Sequence, residues 1–141
     1  MILKKLENLT EENKADLKTW VAALRSGKYN RGTYKLKQSD SVGNETYCCL
    51  GVWCDIFRGR TNLNWKSWNN INNIPLNPEW SISHSIGSNY STVPSKLSFG
   101  IFDGSINVNY KGEVTSIMYL NDALQLPFSE IADAIEATYL N

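Results

Sequence analysis

The sequence predicts one small α+β domain over residues 1–141, with an amphipathic helix at each end, short antiparallel strands and a long, ordered, loop-rich middle. Three observations carry this expectation. Apolar residues recur at helical spacing near both ends, as Leu17, Trp20, Val21 and Leu24 and again as Phe128, Ile131, Ala132, Ile135 and Tyr139. Between them, short apolar or alternating runs are punctuated by Gly, Asn and Pro. A chain of 141 residues with 42% hydrophobic and 20% charged residues is large enough for one ordinary core and excludes a disordered or fibrous chain.

The first helix is expected from Thr10 to about Ser26. Thr10 is a suitable N-cap, Glu11, Glu12 and Asp16 lie toward the positive end of the macrodipole, Arg25 falls late, and Gly27 is a stop signal. Tyr34 to Lys37 and Glu45 to Cys48 read as two strands of a hairpin around a polar loop. The run CCLGVWCDIF, from Cys48 to Phe57, is nearly all apolar, and a short buried helix is favoured over a buried strand. Residues 60–98 are rich in Asn and Ser and contain Pro75, Pro78 and Pro94, so little regular structure is expected there. Trp65, Trp68 and Trp80 nevertheless argue for an ordered, packed excursion. Ile106, Val108 and Tyr110 alternate with Asn and run into Lys111-Gly112, a strand entering a turn. Ile117 to Leu124 suits a short helix, and Pro127 suits the first turn of the last one.

Composition excludes several functions. The formal net charge is zero, so the basic footprint of a protein that grips duplex nucleic acid through its phosphates is missing. No apolar run has the length of a membrane span, and the opening MILKKLENLTEENK turns charged too early for a signal peptide, which points to the cytoplasm. The three cysteines, Cys48, Cys49 and Cys54, are an odd number crowded together, so reduced thiols are expected rather than a disulfide framework. Their spacing is not that of a zinc site, and no Gly-rich phosphate loop occurs, so neither metal nor cofactor is expected.

Three segments, WVAALRSGKYNRGTYKLK, YCCLGVWCD and YLNDALQLPFSEIADAIE, together resemble the pattern of a widespread group of small phage-encoded accessory proteins. The long Asn-rich stretch and Pro127 depart from that pattern. The resemblance implies a phage origin and an accessory role in the cytoplasm of the infected host, and it names no reaction. By analogy of size and setting with phage sponge proteins, it suggests capture of a nucleotide-derived immune signal, of cyclic oligonucleotide or cyclic ADP-ribose type, without cleavage.

The residues permit such a site. Arg25, Lys28, Arg31, Lys35 and Lys37 form an acid-free basic stretch interleaved with Tyr29 and Tyr34, and Arg58, Arg60 and Lys66 are interleaved with Phe57, Trp65 and Trp68. Arginine pairs bidentately with phosphate while aromatic rings stack on bases. Arg25, Tyr29, Arg31, Tyr34, Arg58, Arg60 and Trp65 are therefore the expected ligand-binding residues, on a homo-oligomer. The competing explanations are solvated basic surface with core aromatics, a thiol hydrolase using Cys48 or Cys49 with His84, and an adaptor for a host protein.

Overall fold

The computed structural model describes residues 9–39, 42–66, 85–87 and 92–141. Trp68, Trp80, His84 and most of the excursion expected over residues 60–98 lie outside the described residues.

Helix α1 spans Glu11–Arg25 and starts as its sequence requires. The Thr10 hydroxyl accepts the Asn13 N–H at 3.0 Å, and the Asn13 side chain accepts the Thr10 N–H at 3.3 Å. This reciprocal pair satisfies two of the orphan donors at the helix start. Leu17, Trp20, Val21 and Leu24 are all buried, as the period predicts.

Strands β1 (Lys37–Ser39) and β2 (Glu45–Tyr47) pair antiparallel, with Lys37 opposite Tyr47. On the other side of β2, Tyr47 donates to the Asn30 carbonyl at 2.8 Å and Gly32 donates to the Tyr47 carbonyl at 2.7 Å. The segment that leaves α1 is thereby laid against β2.

The apolar run after β2 is a helix, α2 (Cys49–Phe57). Cys48 is its N-cap and supplies no side-chain hydrogen bond. The cap comes from far along the chain, because Asn121 Oδ1 accepts the Cys49 N–H at 3.0 Å. Gly51 is required for a different reason: a Cβ there would lie 1.7 Å from the Leu36 carbonyl oxygen, so the chain crosses α2 where only a glycine fits. Burial of α2 is broken only at Asp55 and Ile56.

A 3₁₀ turn (Arg58–Thr61) leads into β3 (Asn64–Lys66), which pairs with β4 (Ser85–Gly87). This pair is parallel and lies in the stretch where little regular structure was expected. Parallel pairing needs a long crossover, and it is the intervening Asn-rich stretch that supplies the length. Strands β5 (Asn107–Tyr110) and β6 (Glu113–Ser116) form a two-residue hairpin. Lys111 and Gly112 both have positive φ, 51° and 84°, as the twist-matched turn demands.

The expected short helix is a π-turn over Tyr119–Ala123, and α3 follows over Phe128–Ile135, extended by a second π-turn, Glu136–Leu140. Pro127 is the N-cap of α3 rather than its first helical residue. Phe128, Ile131, Ala132 and Ile135 are buried against the rest of the core. Trp20 and Trp53 meet edge to face at the centre, 5.5 Å apart. Each indole N–H is satisfied, Trp20 on the Cys49 carbonyl at 2.9 Å and Trp53 on the Leu97 carbonyl at 2.8 Å. The structure is thus an α+β domain in which the first and last helices pack against each other.

Candidate functional site

An open cleft of about 520 Å³ lies where the segment after α1 meets β2 and the outer side of α2. Lys28, Tyr29 and Asn30 from the segment after α1, Gly43, Asn44 and Glu45 at the start of β2, and Tyr47 and Asp55 beneath them line it, and the Asn30 side chain donates to the Glu45 carbonyl at 3.3 Å. Its size is that of a small-molecule site.

Asp55 organises the floor. The Tyr29 hydroxyl donates to its Oδ2 at 2.7 Å and the Trp65 indole N–H to its Oδ1 at 2.8 Å. Arg58 Nε lies 3.5 Å from Oδ1, an ion pair by proximity, although that buried nitrogen makes no hydrogen bond. The rings form a continuous edge-to-face array, with Tyr29 and Tyr47 5.0 Å apart and Tyr47 and Trp65 6.2 Å apart. Burial, followed by the Asp55 hydrogen bond, pushes the Tyr29 hydroxyl well above its ordinary pKa. Burial and then the Asp55 charge do the same to Tyr47. Both phenols therefore remain neutral donors at physiological pH.

Glu45 anchors the rim. Its Oε2 accepts from the Tyr47 hydroxyl at 3.0 Å and pairs with the Lys37 ammonium at 2.9 Å. The Lys37 interaction first, then the Tyr47 hydrogen bond, hold the Glu45 carboxyl below its usual range. The Lys37 ammonium is itself enclosed, 5.6 Å from the centre of the Tyr47 ring and 5.4 Å from that of Trp65, a cation–π arrangement. Lys28 is exposed and free of any ion pair among the described residues.

The expected ligand-binding residues are only partly brought together. Tyr29 lines the cleft, and Trp65 and Arg58 reach its floor through Asp55. Arg25 is elsewhere, tying α1 to α3 by ion pairs with Asp133 at 2.6 Å and Glu136 at 3.1 Å. Arg60 forms a bidentate pair with the buried Asp16, at 2.8 and 3.0 Å, with its guanidinium close to the Phe57 and Phe99 rings. Arg31 is spent on the backbone, donating to the Leu126 carbonyl at 2.6 Å and to the Asn121 carbonyl. Tyr34 is 63% exposed and contributes its backbone N–H to Asp122. The four arginines thus do not converge on one point. Periodicity and composition reveal which residues are basic, but not that Asp16, Asp133 and Glu136, distant in sequence, reach them first.

Sequence reasoning missed Asp55, Glu45, Tyr47 and Asn30. The available signal was Asp55, a single acid in a buried apolar run, three residues before Arg58. It also missed Asn121, whose buried amide caps α2, donates to the Gly32 carbonyl at 3.0 Å and to Asp122 at 2.8 Å. Through it, all three segments of the quoted pattern meet at one junction.

The thiols face the interior. Cys48, Cys49 and Cys54 are buried and free. Desolvation raises Cys48 to about 11 despite its place at a helix start, and it raises the other two further. A nucleophile needs the opposite shift. Among the described residues, no group of three potential ligands could hold a metal ion, and no helix is long and apolar enough to cross a membrane.

Fold and site together define a small α+β domain with an aromatic, carboxylate-anchored cleft. The chain belongs to the DUF8296 family, a domain of unknown function, whose family model matches residues 13–139. No curated protein and no solved structure matches it.

Proposed function

We propose that this protein is a binding module that captures a small nucleotide-derived signal in the cleft and releases it unchanged. The observation that carries the reading is the cleft itself, which is lined by two phenols, a free ammonium and two carboxyl side chains beside a row of aromatic rings. Rings supply stacking surface for a base, and an ammonium supplies a charge-assisted bond to phosphate. The buried, protonated thiols favour capture over covalent catalysis. In the phage setting suggested by the sequence, such a module would withhold an immune signal in the host cytoplasm. It would act as a homo-oligomer, since a shallow cleft gains depth when a second subunit covers it.

In this reading Lys28 takes the place of the expected arginines as the phosphate partner. The test is calorimetric titration of a panel of cyclic dinucleotides, cyclic ADP-ribose and ADP-ribose, followed by heating and recovery of the ligand. At least one member is expected to bind and to be recovered intact. Lys28→Ala should weaken binding roughly ten- to a hundred-fold, the loss of one hydrogen bond to a charged group. Arg25→Ala should bind like wild type, because its guanidinium serves α3 rather than the cleft. Failure of every member to bind, or recovery of a converted product, would overturn the reading.

A further inference from the structure

Two charged groups that line the cleft, of opposite sign, are left partly unused by the fold. Lys28 stands exposed with no ion-pair partner among the described residues. Glu45, which also lines the cleft, commits Oε2 to Lys37 and Tyr47, while its Oε1 has no hydrogen bond among the described residues. The Tyr29 and Tyr47 side chains line the same cleft. An ionised carboxylate is acceptor-only, so it repels phosphate and rewards a group rich in O–H donors. An ammonium has the opposite preference. A ligand that satisfies both must carry an anion at one end and hydroxyl donors at the other.

We infer that the cleft selects ribonucleotides over deoxyribonucleotides, with Glu45 accepting from the ribose hydroxyls and Lys28 taking the phosphate. This deepens the binding reading above and rests on it. A carboxylate on the ribose 2′-hydroxyl is chemically the arrangement by which dinucleotide-binding folds recognise that sugar. It discriminates because a deoxyribose leaves the carboxylate without one of its donors, and water must be expelled from a charged oxygen for no return. The other carboxylate of the cleft, Asp55, already accepts from Tyr29 on one oxygen and from Trp65 on the other.

The experiment titrates the full chain with adenosine 5′-monophosphate and with 2′-deoxyadenosine 5′-monophosphate, each against wild type, Glu45→Gln and Glu45→Asp. The ribonucleotide is expected to bind wild type about tenfold or more tightly than its deoxy counterpart, the effect of one bond to a charged acceptor. Glu45→Gln should shrink that ratio to near one, and Glu45→Asp, which keeps the charge on a shorter arm, should retain part of it. Thermal melting of each variant separates loss of the Lys37 pair from loss of recognition, since only the latter changes the ratio. Equal affinity of the two nucleotides for wild type, or a ratio unchanged in Glu45→Gln, would overturn the inference while leaving capture by the cleft intact. If neither nucleotide binds, the sugar-reading inference falls. If no member of the cyclic panel binds either, the capture reading falls with it.

Discussion

The inner and outer sides of α2 show how one short run can serve two ends. On the inner side, Cys49, Val52 and Trp53 are fully buried, the Trp20 indole reaches the Cys49 carbonyl, and Asn121 closes the helix start. On the outer side Asp55, two residues and about 200° of helical rotation beyond Trp53, holds Tyr29 and Trp65 in the cleft. On the inner side the two indole N–H groups and the Cys49 N–H have protein partners, whereas the outer side keeps an ammonium and a carboxylate oxygen in reserve. The contrast teaches that polarity alone does not mark function here. Asn121 is buried and polar yet structural, and Lys28 is exposed and ordinary-looking yet chemically available.

That division can be broken most severely at Gly51. Adding a methyl group there drives Cβ into the Leu36 carbonyl, a backbone atom that cannot swing away, so Gly51→Ala should cost more than about 3 kcal/mol and leave little folded protein. Urea unfolding followed by tryptophan fluorescence measures it. A loss under 1 kcal/mol would mean that the crossing of residue 36 over α2 is looser than described.

Next in size is Asn121→Ala. It leaves the Cys49 N–H and the Gly32 carbonyl without partners in a buried place, an expected loss of about 2 to 4 kcal/mol. The same measurement reports it, and nucleotide affinity measured on the protein that remains folded should be unchanged. Altered affinity at full occupancy of the folded state would instead couple the junction to the cleft.

A pH dependence also sets the two sides apart. In the unfolded chain a cysteine thiol loses its proton near pH 8.5, whereas burial holds Cys48 protonated to about 11. Above pH 8.5 deprotonation therefore stabilises the unfolded chain first, and stability falls as pH rises toward 11, by roughly 3 kcal/mol from Cys48. The other two thiols, and above pH 10 the Tyr29 and Tyr47 phenols, act in the same direction. On the cleft side Glu45 has the reverse sign: its depressed pKa contributes stability at neutral pH that is lost as pH falls below the ordinary carboxylate range. Urea midpoints from pH 3 to 10.5 trace both limbs. A flat alkaline limb, or rapid labelling of native thiols, would show that the cysteines are not sealed in the core.

Much of the fold was legible because its signals are local. The Thr10 cap, the Leu17 to Leu24 stripe, the Lys111-Gly112 turn and the burial of CCLGVW each follow from neighbours within a few residues. The parallel pairing of β3 with β4 was not legible, because it depends on where a strand about twenty residues away returns. The site was harder for the same reason. Tyr29 stood out as an aromatic in a basic stretch, but its partner Asp55 lies 26 residues on. Arg25 looked available because its acids, 108 and 111 residues away, share no local pattern with it. Charge pairing over such separations is set by packing, which hydrophobic periodicity predicts only as a face and never as a partner.

The docking of α1 on α3 brings together helices separated by about a hundred residues of chain. A fifteen-residue helix such as α1 is marginal by itself in water. During synthesis its apolar stripe must wait for the C-terminal helix to emerge, so native assembly is concentrated late, and at typical elongation rates the exposed interval lasts on the order of ten seconds. Because these contacts are so distant in sequence, loop closure rather than helix formation should limit the folding rate.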